Sequence, residues 1–277
     1  PAGSPRDLYA PVVESGMDLE LDDTSALVTA SSSGLGFASA QALAEEGANV
    51  AICGRDAARL ADARDDLVAT ASGDVLAVQA DLTDPDDVSH LVRETVDAFG
   101  GLDHLVTSSG GPPSTTFLET DEQDWYQAYD LLVMSVVWTI EESYEHLLES
   151  DHGTITCITS RTVREVVDGL LLSNSVRRGV IGLVKTISRE FAPEIRANAV
   201  LPGTIETARI EELIDARVER GTYDDYEEGL TAMAGDIPMN RIGEPRELGD
   251  VVAFLSSPRA SFVTGAEIPI DGGLLRS

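Results

Sequence analysis

Along this chain, compact apolar runs alternate with longer stretches whose apolar positions recur with a helical period. The runs, at residues 26–29, 49–53, 75–80, 102–107, 153–159, 196–201 and 266–271, read as buried strands. Between them, residues 37–46, 55–69, 84–98, 171–192 and 244–255 read as helices, and 121–150 as one or two long ones. Segment 55–69 places Leu60, Ala63 and Leu67 on one face. In 121–150 the face carrying Trp125, Tyr129, Leu132, Val136 and Ile140 points to packing rather than to a ligand site. Strands alternating with helices predict an α/β domain on a parallel sheet. Residues 204–240 interrupt that rhythm: the stretch is long, acidic and partly helical, a candidate lid. No repeat and no second domain is evident. Residues 1–16, rich in Pro and Gly without any period, read as a disordered extension ahead of a natural start at Met17.

The first strand gives the chain its chemistry. It runs Ala26-Leu-Val-Thr29, then breaks into Ala30-Ser-Ser-Ser-Gly34-Leu35-Gly36 before a helix. Gly34 and Gly36 permit a tight turn, and the helix behind it directs unpaired N–H groups and a positive dipole end at one spot. A diphosphate fits there, with Ser31, Ser32 and Ser33 offering hydroxyls. The strand at 49–53 closes a βαβ unit. An acidic residue at its end would accept hydrogen bonds from an unsubstituted ribose. Gly54 stands there instead, followed by Arg55, whose fork suits a 2′-phosphate, so NADP(H) is expected over NAD(H). Asp81 ends the third strand before Leu82, where it either accepts from an adenine amino group or caps the helix that follows. The turn 108–113 lies at another strand's carboxyl end, where ligands gather in an open parallel sheet.

Composition narrows the class. The chain of 277 residues is long enough for one large core. It has no apolar stretch able to span a bilayer and no apolar leader behind basic residues. Cys53 and Cys157 both sit in apolar runs and read as small core residues of a reducing compartment; the four histidines show no ligand spacing, so no metal is expected. Acids outnumber bases 49 to 19, giving net −30, with Lys185 the only lysine. Such a charge disfavours nucleic acid and anionic membranes. Spread through helices and loops, it fits a cytoplasm of concentrated salt, where a short Debye length screens repulsion.

Jointly these motifs resemble the short-chain dehydrogenase/reductase family from residue 17 to residue 273. The family's Thr-Gly-x-x-x-Gly-x-Gly turn corresponds to Thr29 through Gly36, its Asn-Asn-Ala-Gly turn to Thr107-Ser108-Ser109-Gly110, and its Pro-Gly-x-x-x-Thr stretch to Pro202-Gly203-Thr-Ile205-Glu-Thr207. Asp271-Gly272-Gly273 fits the family's closing motif. The run Gly110-Gly-Pro-Pro113 is similar to a 3-oxoacyl-carrier-protein-reductase-like branch. The resemblance implies a Rossmann-type, doubly wound, seven-stranded parallel sheet in three α/β/α layers, assembled as a homotetramer or homodimer. It also implies a cofactor site built from Ala30, Ser32, Ser33, Gly34, Leu35, Gly36, Arg55, Asp81, Leu82, Ser109, Gly110, Arg177, Pro202, Gly203, Ile205 and Thr207.

The chain departs from the family where the chemistry is done. Ser160 matches the family's substrate-holding serine, but the tyrosine position is Ser173, the lysine position Arg177 and the asparagine position Leu132. A serine hydroxyl cannot deliver a tyrosine's proton without a separate base, and an arginine does not exchange protons at ordinary pH. One expectation is an NADP(H)-dependent oxidoreductase for a small carbonyl or alcohol, with Ser160, Ser173 and Arg177 catalytic, Ser173, Asn174 and Arg177 forming a polar row, and Arg161, Arg164 or water stabilising an oxyanion. The other is a catalytically silent dinucleotide-binding module. The acidic lid argues against an anionic substrate.

Overall fold

In the computed structural model, which describes residues 17–276, the strands lie side by side in the order β3-β2-β1-β4-β5-β6-β7. These are β1 (Ser25–Val28), β2 (Asn49–Gly54), β3 (Val75–Gln79), β4 (His104–Thr107), β5 (Thr154–Ile158), β6 (Arg196–Pro202) and β7 (Glu267–Ile270). Every neighbouring pair is parallel, from Ser25 opposite Asn49 in β1–β2 to Pro202 opposite Ile270 in β6–β7. The order reverses between β1 and β4, so the carboxyl ends of these two strands flank a crevice.

Helices cover both faces, which is why the strands read as continuous apolar runs. Leu27 of β1 faces one core with helices α3 (Pro85–Phe99), α5 (Ser135–Glu149) and α7 (Arg178–Glu190). Its neighbours Ala26 and Val28 face the other core, beneath α1 (Gly34–Glu45), α2 (Ala57–Val68) and α10 (Pro245–Ser256). Leu60, Ala63 and Leu67 are the buried face of α2. Both cysteines are buried, and burial pushes the Cys53 thiol up to about 12 and the Cys157 thiol up to about 11, so both are inert core groups.

Two helices depart from a regular path, both near the crevice. The segment 121–150 is α4 (Glu122–Tyr129), a π-helical turn (Asp130–Met134) and α5, and Leu132 lies buried within that turn. Segment 171–192 is not one helix: α6 (Leu171–Val176) stops at Arg177 and α7 starts beyond it. The Val180 amide bonds back to the Arg177 carbonyl at 3.1 Å, a tighter 3₁₀ step that breaks the ladder there. The stretch from 204 to 240 carries α8 (Ala208–Glu219) and α9 (Tyr226–Ala234). Its ends are pinned together, since Glu206 N donates to Gly243 O (2.8 Å) and Gly243 N to Thr204 O (3.0 Å). The expectation for residues 1–16 lies outside the described residues. No helix among the described residues is long and apolar enough to cross a membrane.

The turn after β1 carries local strain. Ala30 adopts φ of 46°, a left-handed conformation that costs an L-residue roughly 1–2 kcal/mol. Replacing it with glycine removes that cost and adds roughly 0.5–1 kcal/mol of unfolded-state entropy. Ala30→Gly should therefore raise the unfolding free energy by up to about 1 kcal/mol in a denaturant titration; a loss of that size would show that the turn is not strained.

Candidate active site

The turn that joins β1 to α1 is held rigid before any ligand enters. Thr29 Oγ1 donates to Ser108 O (2.6 Å) and accepts from Ser108 N (2.8 Å), locking the ends of β1 and β4 together. Ser31, expected to offer its hydroxyl to a ligand, is fully buried instead. It donates to Val28 O (2.6 Å) and accepts from Cys53 N (3.0 Å), so it braces the turn. Gly34 takes the left-handed conformation at φ of 61°. Gly36 lies so near the preceding loop that a Cβ would meet the Ala30 carbonyl oxygen at 2.5 Å. Ser33 occupies the N-cap of α1, yet no side chain caps that end. The first N–H groups of α1 therefore face the crevice with their dipole, as an anion site requires.

A cleft of about 650 Å³ opens from this turn, lined by Ser32, Ser33, Gly54, Arg55, Asp81, Leu82, Ser109 and Gly110. A Cβ on Gly54 would meet Ser32 Oγ at 2.8 Å, so glycine there keeps Ser32 in place as well as leaving room. Arg59 lines the same cleft and was not expected. It sits in the first turn of α2, whose cap, Asp56, accepts from Ala58 N and Arg59 N at 3.0 Å. Those amides, Arg59's first, hold the Asp56 carboxyl below its ordinary range. Two guanidiniums thus stand where β2 ends. Arg59 reads from sequence as one more solvated residue of a polar helix, and only the cap geometry brings it to the cleft.

Asp81 does not cap the helix after β3; Asp84 does, accepting from Asp86 N at 3.0 Å. Partial burial would raise the Asp81 carboxyl, but bonds from the Thr83 amide (3.0 Å) and hydroxyl (2.8 Å), with the nearby charge of Arg55, bring it below its ordinary range. It is an ionised acceptor on the cleft wall.

Beyond the turn the crevice continues through two smaller spaces. One, about 290 Å³, is lined by Ala30, Gly34, Leu35, Gly36, Ser109, Gly110, Arg177 and Thr207. The other, about 270 Å³, is lined by Ser160, Ser173, Arg177, Pro202, Gly203, Ile205 and Thr207. The three adjoining spaces are lined by every cofactor position that the resemblance implies and by Ser160 and Ser173, but not by Ser31, Arg161, Arg164 or Asn174.

The catalytic end has its own wiring. Ser160 follows β5 and caps the 3₁₀ turn Arg161–Val163, its Oγ accepting from Thr162 N at 3.2 Å. Thr162 Oγ1 and Ser173 Oγ share a hydrogen bond of 3.0 Å, both buried. Arg177, only 8 % exposed, donates to the Gly110 carbonyl oxygen and so ties the break between α6 and α7 to the turn after β4. Two expected roles fail. Asn174 does not join a polar row, because its amide accepts from Val167 N (3.1 Å) and donates to Val167 O (2.9 Å), clamping the loop before α6. Arg164 is not at the site either, since it pairs with Glu267 on β7 at 2.7 Å. Tyr223, from the stretch between α8 and α9, and Arg161 line a further space that also touches Ser160. No sequence signal separates Tyr223 from the other tyrosines.

Arg177 is the sole ionisable side chain among the described residues lining the space that holds Ser160 and Ser173. His104 is buried at the opposite end of the sheet, beside Thr154 Oγ1 (2.9 Å), and burial pushes it down to about 4, so it stays neutral. No cluster of three His, Cys, Asp or Glu side chains that could hold a metal occurs among the described residues.

A doubly wound sheet with a glycine turn at its switch point and an aligned crevice defines the dinucleotide-binding class of fold. Residues 29–275 match the family model described as enoyl-(acyl carrier protein) reductase. The chain is 32 % identical over 251 residues to the 3-oxoacyl-[acyl-carrier-protein] reductase FabG of Staphylococcus aureus, covering 90 % of this chain and 97 % of that one. It also superposes on L-sorbose reductase of Gluconobacter frateurii, solved with NADPH and L-sorbose, at a TM-score of 0.90 and 28 % identity, over 94 % of this chain and 100 % of that one. A short-chain oxidoreductase of Pseudomonas aeruginosa described as containing an atypical catalytic center gives 0.86 and 30 % identity, over 93 % and 99 %. The chain belongs to the short-chain dehydrogenase/reductase family, oxidoreductases acting on CH–OH and carbonyl groups.

If Arg55 and Arg59 grip a 2′-phosphate, replacing each by alanine should weaken NADPH binding about tenfold or more while NADH binding changes little. Calorimetric titration of both nucleotides measures this, and equal losses for the two would remove the arginines from a phosphate site.

Proposed function

We propose that this protein is an NADP(H)-dependent oxidoreductase for a small carbonyl or alcohol substrate, working without a titrating acid at its centre. The observation that carries this reading is the wall of the innermost space, where Ser160 and Ser173 stand beside Arg177 and no other ionisable group among the described lining residues. Relatives include an NADPH-bound reductase and an oxidoreductase with an atypical catalytic center, which supports both halves of the reading.

The residues present fit the cofactor. The uncapped start of α1 with Gly34, Leu35 and Gly36 takes the pyrophosphate, aided by Ser32 and Ser33. Arg55 and Arg59 take the 2′-phosphate, Asp81 and Leu82 the adenine, and Ser109, Gly110, Pro202, Gly203, Ile205 and Thr207 border the nicotinamide half. When bound, the nicotinamide supplies or accepts hydride at its C4.

In the direction of reduction, Ser160 donates a hydrogen bond to the carbonyl oxygen and holds it in line. Arg177 lies against the same space, and its fixed charge stabilises the alkoxide that develops as hydride arrives at carbon. Its attachment to Gly110 sets the guanidinium before substrate enters. Water supplies the proton that completes the alcohol. Ser173, tied to Thr162, supports the loop that carries Ser160. The stretch 204–240 closes over the site, and the dispersed acidic surface suits concentrated salt in the cytoplasm. A homodimer or homotetramer is the assembly proposed.

Ser160→Ala should lower kcat/KM for NADPH-dependent carbonyl reduction about 100-fold. In the parent, kcat should stay flat between about pH 6 and about pH 9, because an arginine does not titrate there. NADPH consumption across a carbonyl panel in concentrated salt is the measurement. A titrating limb in that window would mean that another group supplies the proton. Tight NADPH binding with no turnover of any carbonyl would leave the silent binding module.

A further inference from the structure

A cavity of about 450 Å³ lies beyond Ser160, between the turn that follows β5 and the helical stretch 204–240. It adjoins the innermost space, because Ser160, Leu170, Gly203 and Ile210 line both. A substrate whose carbonyl rests on Ser160 therefore extends directly into it. Its charged floor is Arg161, half-buried on the 3₁₀ turn, which makes no side-chain hydrogen bond or ion pair with any described residue.

Acids outnumber bases 49 to 19, so carboxylates are plentiful, and several arginines are paired with one. Arg164, three residues on, is bound by Glu267, while Arg241, Arg246 and Arg259 are bound by Glu247, Glu45 and Glu20. A partly desolvated guanidinium left without an anion is costly, and its planar fork matches a carboxylate with two parallel hydrogen bonds. Val167, Leu170 and Met233 supply apolar wall for a short carbon chain between the two polar ends.

On this basis, and resting on the oxidoreductase reading above, we propose that the substrate is a small oxo acid or hydroxy acid whose carboxylate is held by Arg161. Asp236, the one carboxylate among the described lining residues, is exposed and forms no ion pair with Arg161, so its charge is met by solvent. Its presence selects a monoanion over a phosphate dianion. The acidic character of the lid argued against an anionic substrate, but the cation that decides lies on the sheet side, in the turn after Ser160.

Two readouts test this. The first is calorimetric titration of the NADPH-saturated protein with butanoate and pentanoate, against butanamide and pentanamide. The acids should bind about tenfold or more tightly than the amides. Arg161→Gln should abolish the difference while leaving NADPH affinity and thermal midpoint unchanged, and Asp236→Asn should tighten the acids. Equal binding of acid and amide, failure of the acids to bind, or a preference that survives Arg161→Gln overturns the proposal. The second readout is NADPH consumption with 2-oxo, 3-oxo and 4-oxo acids against their methyl esters. Esters turned over as well as acids overturn the carboxylate site and leave the oxidoreductase reading standing. Turnover of neither class overturns that reading, and the titration then decides the site alone.

Discussion

The contact between Gly36 and the Ala30 carbonyl governs this molecule. A Cβ at residue 36 would lie 2.5 Å from that oxygen, so only glycine lets the chain leave β1 and enter α1 so abruptly. The abruptness turns the first N–H groups of the helix toward the crevice between β1 and β4 rather than into the core. Thr29 and Ser31 then fix the turn from behind through Ser108, Val28 and Cys53. The cradle is thus built from backbone, and its neighbours could diverge in sequence while its shape was kept. Ala30 illustrates the point: the turn holds its left-handed backbone even with a side chain in the glycine's place.

Further along the crevice, side chains rather than backbone decide. Arg177 stands at the break between α6 and α7, buried and bonded to Gly110, so one residue joins the turn after β4 to the helix that flanks Ser160. A fixed cation performs a different task from a tuned phenol. It can lower the energy of developing negative charge but hands over no proton, so in the proposed mechanism that step falls to water. Arg161, on the turn that follows Ser160, is the residue on which the proposed carboxylate contact depends.

Much of the fold was legible because both faces of the sheet are covered. Strands such as Asn49–Gly54 then become continuous apolar runs, and helices such as Ala57–Val68 show one apolar stripe. The glycine turn and the positions spaced from it mark the crevice for the same reason, since the conformation dictates the residue type. What escaped depends on partners distant in sequence. Asn174 reads as a site residue until Val167 is seen to occupy both ends of its amide. Arg164 is equally plausible until Glu267, on the last strand, takes it. The interruption at Arg177 leaves no mark in the apolar period, because one 3₁₀ step shifts the following face only slightly. Arg59 is hidden by its polar surroundings.

The most direct test of the backbone cradle is a calorimetric titration of NADPH into the parent protein and into Gly36→Ala, in concentrated salt, with thermal unfolding confirming that both are folded. The cradle predicts clear binding by the parent and a loss of about 100-fold or more in the variant, because the added Cβ forces the turn open. Undiminished affinity in a folded Gly36→Ala protein would contradict it.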